Sequence, residues 1–255
     1  MTDSSLDRRG FLRLGTGAVA AAASLAVVAD LGLAGQASAY SWGGNLSQGS
    51  SGSDVAELQI RIAGWAADSA SQTYVAVDGS FGPGTDAALR RFQSAYGLSA
   101  DGVAGPQTFS VLNGLEKSDG STAHFDFSEF TSHDGSGFSG GKVGASEVKE
   151  NVRRTMYKLE ALRKKAGNSP VTINSGFRSV AYNSSVGGAS NSMHVYGVAA
   201  DLAVSGHSTL QVYRIAETCG FSGLETYTVS WQHVDSRIEH PDYGSGFWWW
   251  QDGVA

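Results

Sequence analysis

Apolar positions change their spacing along this chain, and each change marks a new element. Between Ser53 and Ile62 the apolar residues are Val55, Leu58, Ile60 and Ile62. They predict a short amphipathic helix with Ser53 as its N-cap. Ala87, Ala88, Leu89 and Phe92 predict a second helix over about Gly84–Tyr96, and a third follows over about Gln107–Asn113. Further on, Val148, Val152, Met156, Leu159 and Leu162 recur at helical spacing. Ser146 and Glu147 open that helix, and Lys164, Lys165 and Gly167 close it. The remaining segments alternate between strand and helix. Val171–Ser175 and the apolar run Val198–Val204 read as strands, Ser208–Glu217 as a helix, and Phe221–Leu224 and Trp231–Val234 as short strands. The fold class expected is α+β: a small antiparallel sheet with flanking helices, preceded by a compact all-α module of three helices.

An internal repeat lies inside the first module. Asp78-Gly79-Ser80-Phe81-Gly82-Pro83-Gly84-Thr85 is echoed by Asp101-Gly102-Val103-Ala104-Gly105-Pro106-Gln107-Thr108. In each copy Asp-Gly makes a turn, and Pro sits at a first helical position whose missing N–H costs nothing. Most motif residues are therefore explained by folding alone. Between the two modules, Lys117–Thr122 is polar, as a domain boundary would be. Phe125–Phe130 alternates and could form an ordered strap on the second module. Ser132–Gly141 reads as a flexible loop, and His124 and His133 as solvated loop histidines. The division expected is thus 1–39, 40–115, 116–144 and 145–255.

The first segment reads as an address. Arg8-Arg9-Gly10-Phe11-Leu12 is a twin-arginine pattern, followed by an Ala-rich apolar stretch from about Gly17 to Leu33. Ala37-Ser38-Ala39 is a small-x-small cleavage site, so the mature chain is expected to start at Tyr40. Asp30 and the glycines after it argue against a spanning helix of ~20 apolar residues, hence against a lasting membrane anchor. The net charge of −6 argues against nucleic acid as a partner. The single cysteine, Cys219, excludes an internal disulfide and reads as a small buried residue. A monomer is expected.

One acid stands out within an apolar pattern. Asp201 interrupts Val198–Val204, and a carboxylate there must be paired, hydrogen-bonded or bound to a metal. His194 precedes it by a loop, and His233 lies on a later strand. Two histidines and an aspartate converging on one ion would leave the open fourth position of a catalytic zinc. Alternation places Trp231, His233 and Asp235 on one strand face. Arg178, just past a strand, is placed to meet a carboxylate or a developing oxyanion. Ser192 and Trp231, next to the two histidines, join Arg178 as candidates for substrate contact. In the tail, Phe247-Trp248-Trp249-Trp250 reads either as a hydrophobic clasp or as an aromatic wall beside the cleft.

Two resemblances follow from these residues. Asp78–Thr108 resembles the three-helix, repeat-containing peptidoglycan-binding domain, which implies peptidoglycan as the partner. Ser175–Ser179, Asn183–His194, Tyr196-Gly197, Ala199–Leu202 and His233-Val234 resemble the zinc D-Ala-D-Ala carboxypeptidase family. That likeness implies one zinc on His194, Asp201 and His233 in an exported hydrolase of the cell wall, cutting the terminal D-Ala-D-Ala bond of stem peptides. The related readings are an endopeptidase cutting elsewhere in the stem or cross-bridge, and a silent wall-binding protein. The family carries an acidic base three residues before the last ligand and a histidine two before it, where this chain has Ser230 and Trp231. A hydroxyl is a poor proton acceptor at neutral pH. Asp235 is the first candidate to replace it, unless it serves a strand-end turn or an ion pair with Arg237. Glu225 is the second.

Overall fold

The computed structural model describes residues 40–226, 230–244 and 246–251. The twin-arginine segment expected over residues 1–39 lies outside the described residues. Three helices form the first unit: α1 (Ser53–Ile62), α2 (Pro83–Ala95) and α3 (Pro106–Gly114). Proline opens both α2 and α3, as the repeat predicts. The start of α1 differs from expectation. Its cap is Gly52, at φ 116°, a backbone geometry that glycine alone adopts readily, and Ser53 is the first helical residue.

The repeat also has a buried counterpart. Gln59 Nε2 donates to Asp78 Oδ1, Ser80 O and Thr85 Oγ1, while its Oε1 accepts from the backbone of Asp78 and Gly79. Gln93 does the same for the second copy, through Asp101 Oδ1, Val103 O, Thr108 Oγ1 and the Gly102 N–H. Each Asp-Gly turn is thus tied to the helix before it by one glutamine amide, whose oxygen and nitrogen both pair with turn groups.

A long helix, α4 (Ala145–Lys165), serves both units. One side, with Val148, Val152, Met156, Leu159 and Leu162, packs in the core of the second unit. The other side contributes Tyr157 and Ala161 to the core of the first. The approach is close: a Cβ on Gly64 would lie 2.4 Å from Ala161 Cβ. Arg153 clasps Glu57 of α1 with two hydrogen bonds of 2.9 Å.

The second unit is a five-stranded sheet in the order β1 (Val171–Ser175), β2 (Ala199–Val204), β4 (Gln232–Asp235), β3 (Gly223–Glu225), β5 (Trp249–Gln251). Pairing is antiparallel except between β3 and β5, which run parallel. Two further helices, α5 (Val180–Ser185) and α6 (Thr209–Ala216), complete the unit. Ala200, Leu202, Val204, Leu224 and Val234 face the core under α4. Their sequence neighbours Asp201, Glu225, His233 and Asp235 therefore face the opposite side. Cys219 is buried in this core, as expected.

The stretch between the units is ordered. Phe125, Phe127 and Phe130 are buried in the second core, and a capping box of Asp126 and Glu129 holds the turn Phe127–Phe130. The loop after it, expected to be flexible, is pinned: Ser179 Oγ donates to Asp134 Oδ2 at 2.5 Å, and Ser132 N–H to Gly137 O. His124 is not simply solvated, since its Nδ1 lies 2.8 Å from Oε2 of the buried Glu160.

Candidate metal centre

The backbone around β2 aims three donor atoms at one point. His194 sits on a 3-10 turn (Met193–Tyr196) that Gly197 ends at φ 78°. The turn is braced against the segment after β1: Arg178 N–H donates to His194 O, and His194 Nδ1 lies 2.6 Å from Gly176 O. A carbonyl only accepts, so Nδ1 carries the proton and Nε2 keeps its lone pair. That Nε2 lies 3.3 Å from Asp201 Oδ1. In the sheet register Asp201 faces His233, whose Nδ1 lies 2.9 Å from the same oxygen. The three donor atoms fall within 4.8 Å of one another, and all three residues are buried.

This geometry fits a metal ion. Bonds of ~2.0–2.1 Å at tetrahedral angles separate ligand atoms by about 3.3 Å. Two imidazole nitrogens and one carboxylate oxygen suit zinc, with one position left for a reactant. The outer contacts are also built. Asp201 Oδ2 accepts from Arg178 Nη2 at 2.5 Å, leaving Oδ1 for the ion, and Arg178 Nε donates to Ser175 Oγ.

The charges follow from burial and pairing. Burial opposes ionisation of Asp201, but His194 and His233 outweigh it and hold the carboxyl far below its usual range. Burial pushes His194 down, toward the neutral imidazole a metal requires. His233 is pushed up to about 9: burial opposes its charge, yet hydrogen bonds to Asp201 and Asp235 prevail. An ion at this site would displace the proton on His233 Nδ1.

These residues line a cavity of about 850 Å³. Arg178, Ser192 and Trp231 all line it, as do His194, Asp201 and His233. The other two residues considered for proton transfer are placed differently. Asp235 is 0% exposed and does not line the cavity. Its Oδ2 accepts from His233 Nε2 at 3.1 Å and from Arg237 Nη2 at 2.6 Å, so both histidine and arginine engage this carboxylate, in the ion pair with Arg237 that the sequence left open as its alternative role. Glu225 pairs in register with His233 on β3, is half-buried, and its Oε2 is buried without a hydrogen bond among the described residues. It does not line the cavity either.

His133 and Tyr182 were not anticipated as parts of the site. His133, on the pinned loop, lines the cavity beside Tyr182, their rings 5.6 Å apart. Its place beside Asp134 in the sequence was the available signal. The tail satisfies both of its readings. Trp250 packs on the core, whereas Phe247 and Trp249 line the cavity.

Comparison with known proteins agrees with this geometry. Residues 51–112 match a peptidoglycan binding domain family, and residues 123–235 match the peptidase M15 family. The spore cortex-lytic enzyme of Bacillus cereus is 44% identical over 80 residues, which are 31% of this chain and 29% of that enzyme, so it bears on one module only. The zinc D-Ala-D-Ala carboxypeptidase of Streptomyces albus G is 48% identical over 185 residues, 72% of this chain and 71% of that protein. The M15 match spans all three converging donors, and the likeness to the carboxypeptidase extends over most of both chains: this chain belongs to the peptidase M15 family and is a homologue of zinc D-Ala-D-Ala carboxypeptidase.

Proposed function

We propose that this protein is an exported zinc peptidase that hydrolyses peptide bonds in peptidoglycan stem peptides, foremost the terminal D-Ala-D-Ala bond. The observation that supports it most is the convergence of His194 Nε2, Asp201 Oδ1 and His233 Nδ1 in the cavity lining, beside Arg178. The first unit would hold the enzyme on the wall, and the twin-arginine pattern would export it already folded with its metal. No helix among the described residues is long and apolar enough to cross a membrane.

One zinc ion would be held by those three atoms, and when bound it supplies a Lewis acid for the scissile carbonyl and lowers the pKa of a water. The chain's own residues do the rest. Arg178 lines the cavity, and its Nη1 makes no hydrogen bond among the described residues, which suits it to the substrate's terminal carboxylate or to the oxyanion. Ser192 and Trp231 flank the bound peptide. With Ser230 at the family's acidic position and Asp235 engaged, Glu225 is the carboxylate we assign to accept the proton. It shares a sheet face and a register row with Asp201 and His233. Because it does not line the cavity, it would act through a water.

A second reading, a silent wall-binding protein, is motivated by Ser230. The test is to incubate zinc-loaded protein with sacculi and defined stem peptides and to read products by mass spectrometry. Release of D-Ala is the expected result. Internal fragments would mean an endopeptidase. No product, with binding to sacculi intact, would refute catalysis.

A further inference from the structure

Asp235 and Arg237 form a pair with no role in the chemistry above, yet both are buried and both reach the site. Register explains their place. Asp201, His233 and Glu225 form one row across the sheet, and Ala199, Asp235, Gly223 and Trp249 form the next. Asp235 lies over Gly223 so closely that a Cβ there would come 2.1 Å from Oδ2. Arg237 closes over the carboxylate: its backbone N–H and Nε donate to Oδ1 at 3.0 and 2.9 Å, and its Nη2 donates to Oδ2 at 2.6 Å. The same guanidinium stacks on the Trp249 ring, 4.3 Å from its centroid, at the cavity wall.

We propose that Asp235 and Arg237 are positioning residues that set which nitrogen of His233 binds the metal. Asp235 Oδ2 can only accept, so it fixes the proton on His233 Nε2 and turns Nδ1 toward Asp201 and His194. Arg237 keeps the carboxylate charged and oriented in a place where an unpaired anion would be costly. Gly223 leaves the room that this carboxylate needs. Through Arg237 the same device also braces Trp249, so the metal ligand and the aromatic wall share one support. The inference rests on the three-ligand metal site proposed above.

The test begins with the unaltered, zinc-loaded protein. Imidazole nitrogen NMR should show His233 protonated on Nε2 and metal-bound through Nδ1. Zinc affinity is then measured by chelator competition on folded protein, as judged by circular dichroism. Asp235→Asn retains an acceptor for Nε2–H and should bind zinc several-fold more weakly, whereas Asp235→Ala should lose about 10–100-fold. Gly223→Ala, which leaves the pair's chemistry intact but crowds the carboxylate, should also weaken zinc binding. Failure of the wild-type protein to bind zinc would refute the metal site itself. Tight zinc in the wild type with ligation through His233 Nε2, or with unaltered affinity in folded Asp235→Ala, would overturn the positioning role and leave the metal site standing.

Discussion

Replacing Glu225 by glutamine separates proton transfer from structure, because the environment of this side chain predicts opposite signs for the two. Glu225 stands in the register row of His233 and Asp201, with Oε2 buried and unpartnered among the described residues. Glutamine keeps the shape and breaks no side-chain hydrogen bond to described residues. It also removes a charge from a partly buried position, so stability should be unchanged or higher. Zinc content should not change, since Glu225 is not among the three donors. The rate should fall. Loss of a general base costs about 10²–10⁴ in kcat, or roughly 3–5 kcal/mol in barrier. KM should stay close to the wild-type value, because the lost interaction belongs to the transition state. The assay is D-Ala release from a defined stem peptide, run beside urea unfolding and metal analysis. A kcat within threefold of wild type, at full zinc occupancy, would refute the assignment of Glu225.

Three further outcomes are expected. His194→Ala removes one of three donors and should lower bound zinc well below stoichiometric by mass spectrometry of the metal; full occupancy would contradict the ligand set. Gly64→Ala places a methyl 2.4 Å from Ala161 Cβ, where helix α4 meets the first unit, and should cost about 1–3 kcal/mol in urea unfolding. His240 stacks on Tyr243 and is pushed down to about 4 by burial and then by Lys158 and Arg154. Unfolded histidine titrates near ~6.5, so between the two values the unfolded chain binds the proton and the folded one does not. The contribution of His240 is therefore fully present above about pH 6.5 and is lost as pH falls toward 4, with a magnitude of about 1–3 kcal/mol. His240→Phe should flatten that slope, read as urea midpoints at pH 4.5 and 7.

The parts of this protein that could be read directly were those where a local rule leaves few alternatives. An aspartate inside an apolar strand has few places to go, and Asp201 does meet His194 and His233. Strand alternation put His233 and Asp235 on one face, and the helix periods of α1, α2 and α4 survived folding within a few residues. What stayed hidden depended on contacts between distant segments. Helix α4 looks like an ordinary one-sided helix in its Val, Met and Leu pattern, yet Tyr157 and Ala161 on its other side complete a second core. The short strand β5 pairs in parallel with β3, a connection that runs past β4 and leaves no local turn signal. Ser132–Gly141 has the composition of a mobile loop, and its tie to a distant segment, Ser179 Oγ donating to Asp134, has no local signal.

The carboxylates near His233 show why chemistry was harder to read than fold. A residue two positions after a strand ligand shares its face, so Asp235 passes every test that spacing can apply to a proton acceptor. Its actual surroundings depend on two residues that spacing does not weigh. Arg237 occupies both of its oxygens, and Gly223 on the neighbouring strand opens the hollow in which it sits. With those contacts satisfied, the carboxyl is held well below its usual range: burial opposes this, but His233 and Arg237 prevail. An acid that reluctant to take a proton is a weak base and a good anchor, since a base works best with a pKa near the operating pH. Glu225 is placed differently. It stands two strands from Asp201 in the same row, and one of its oxygens is buried without a partner among the described residues. A buried oxygen left unsatisfied in this way is uncommon and calls for a cause; beside a metal ligand, in a chain whose family position 230 lacks its acid, proton transfer is the cause we assign.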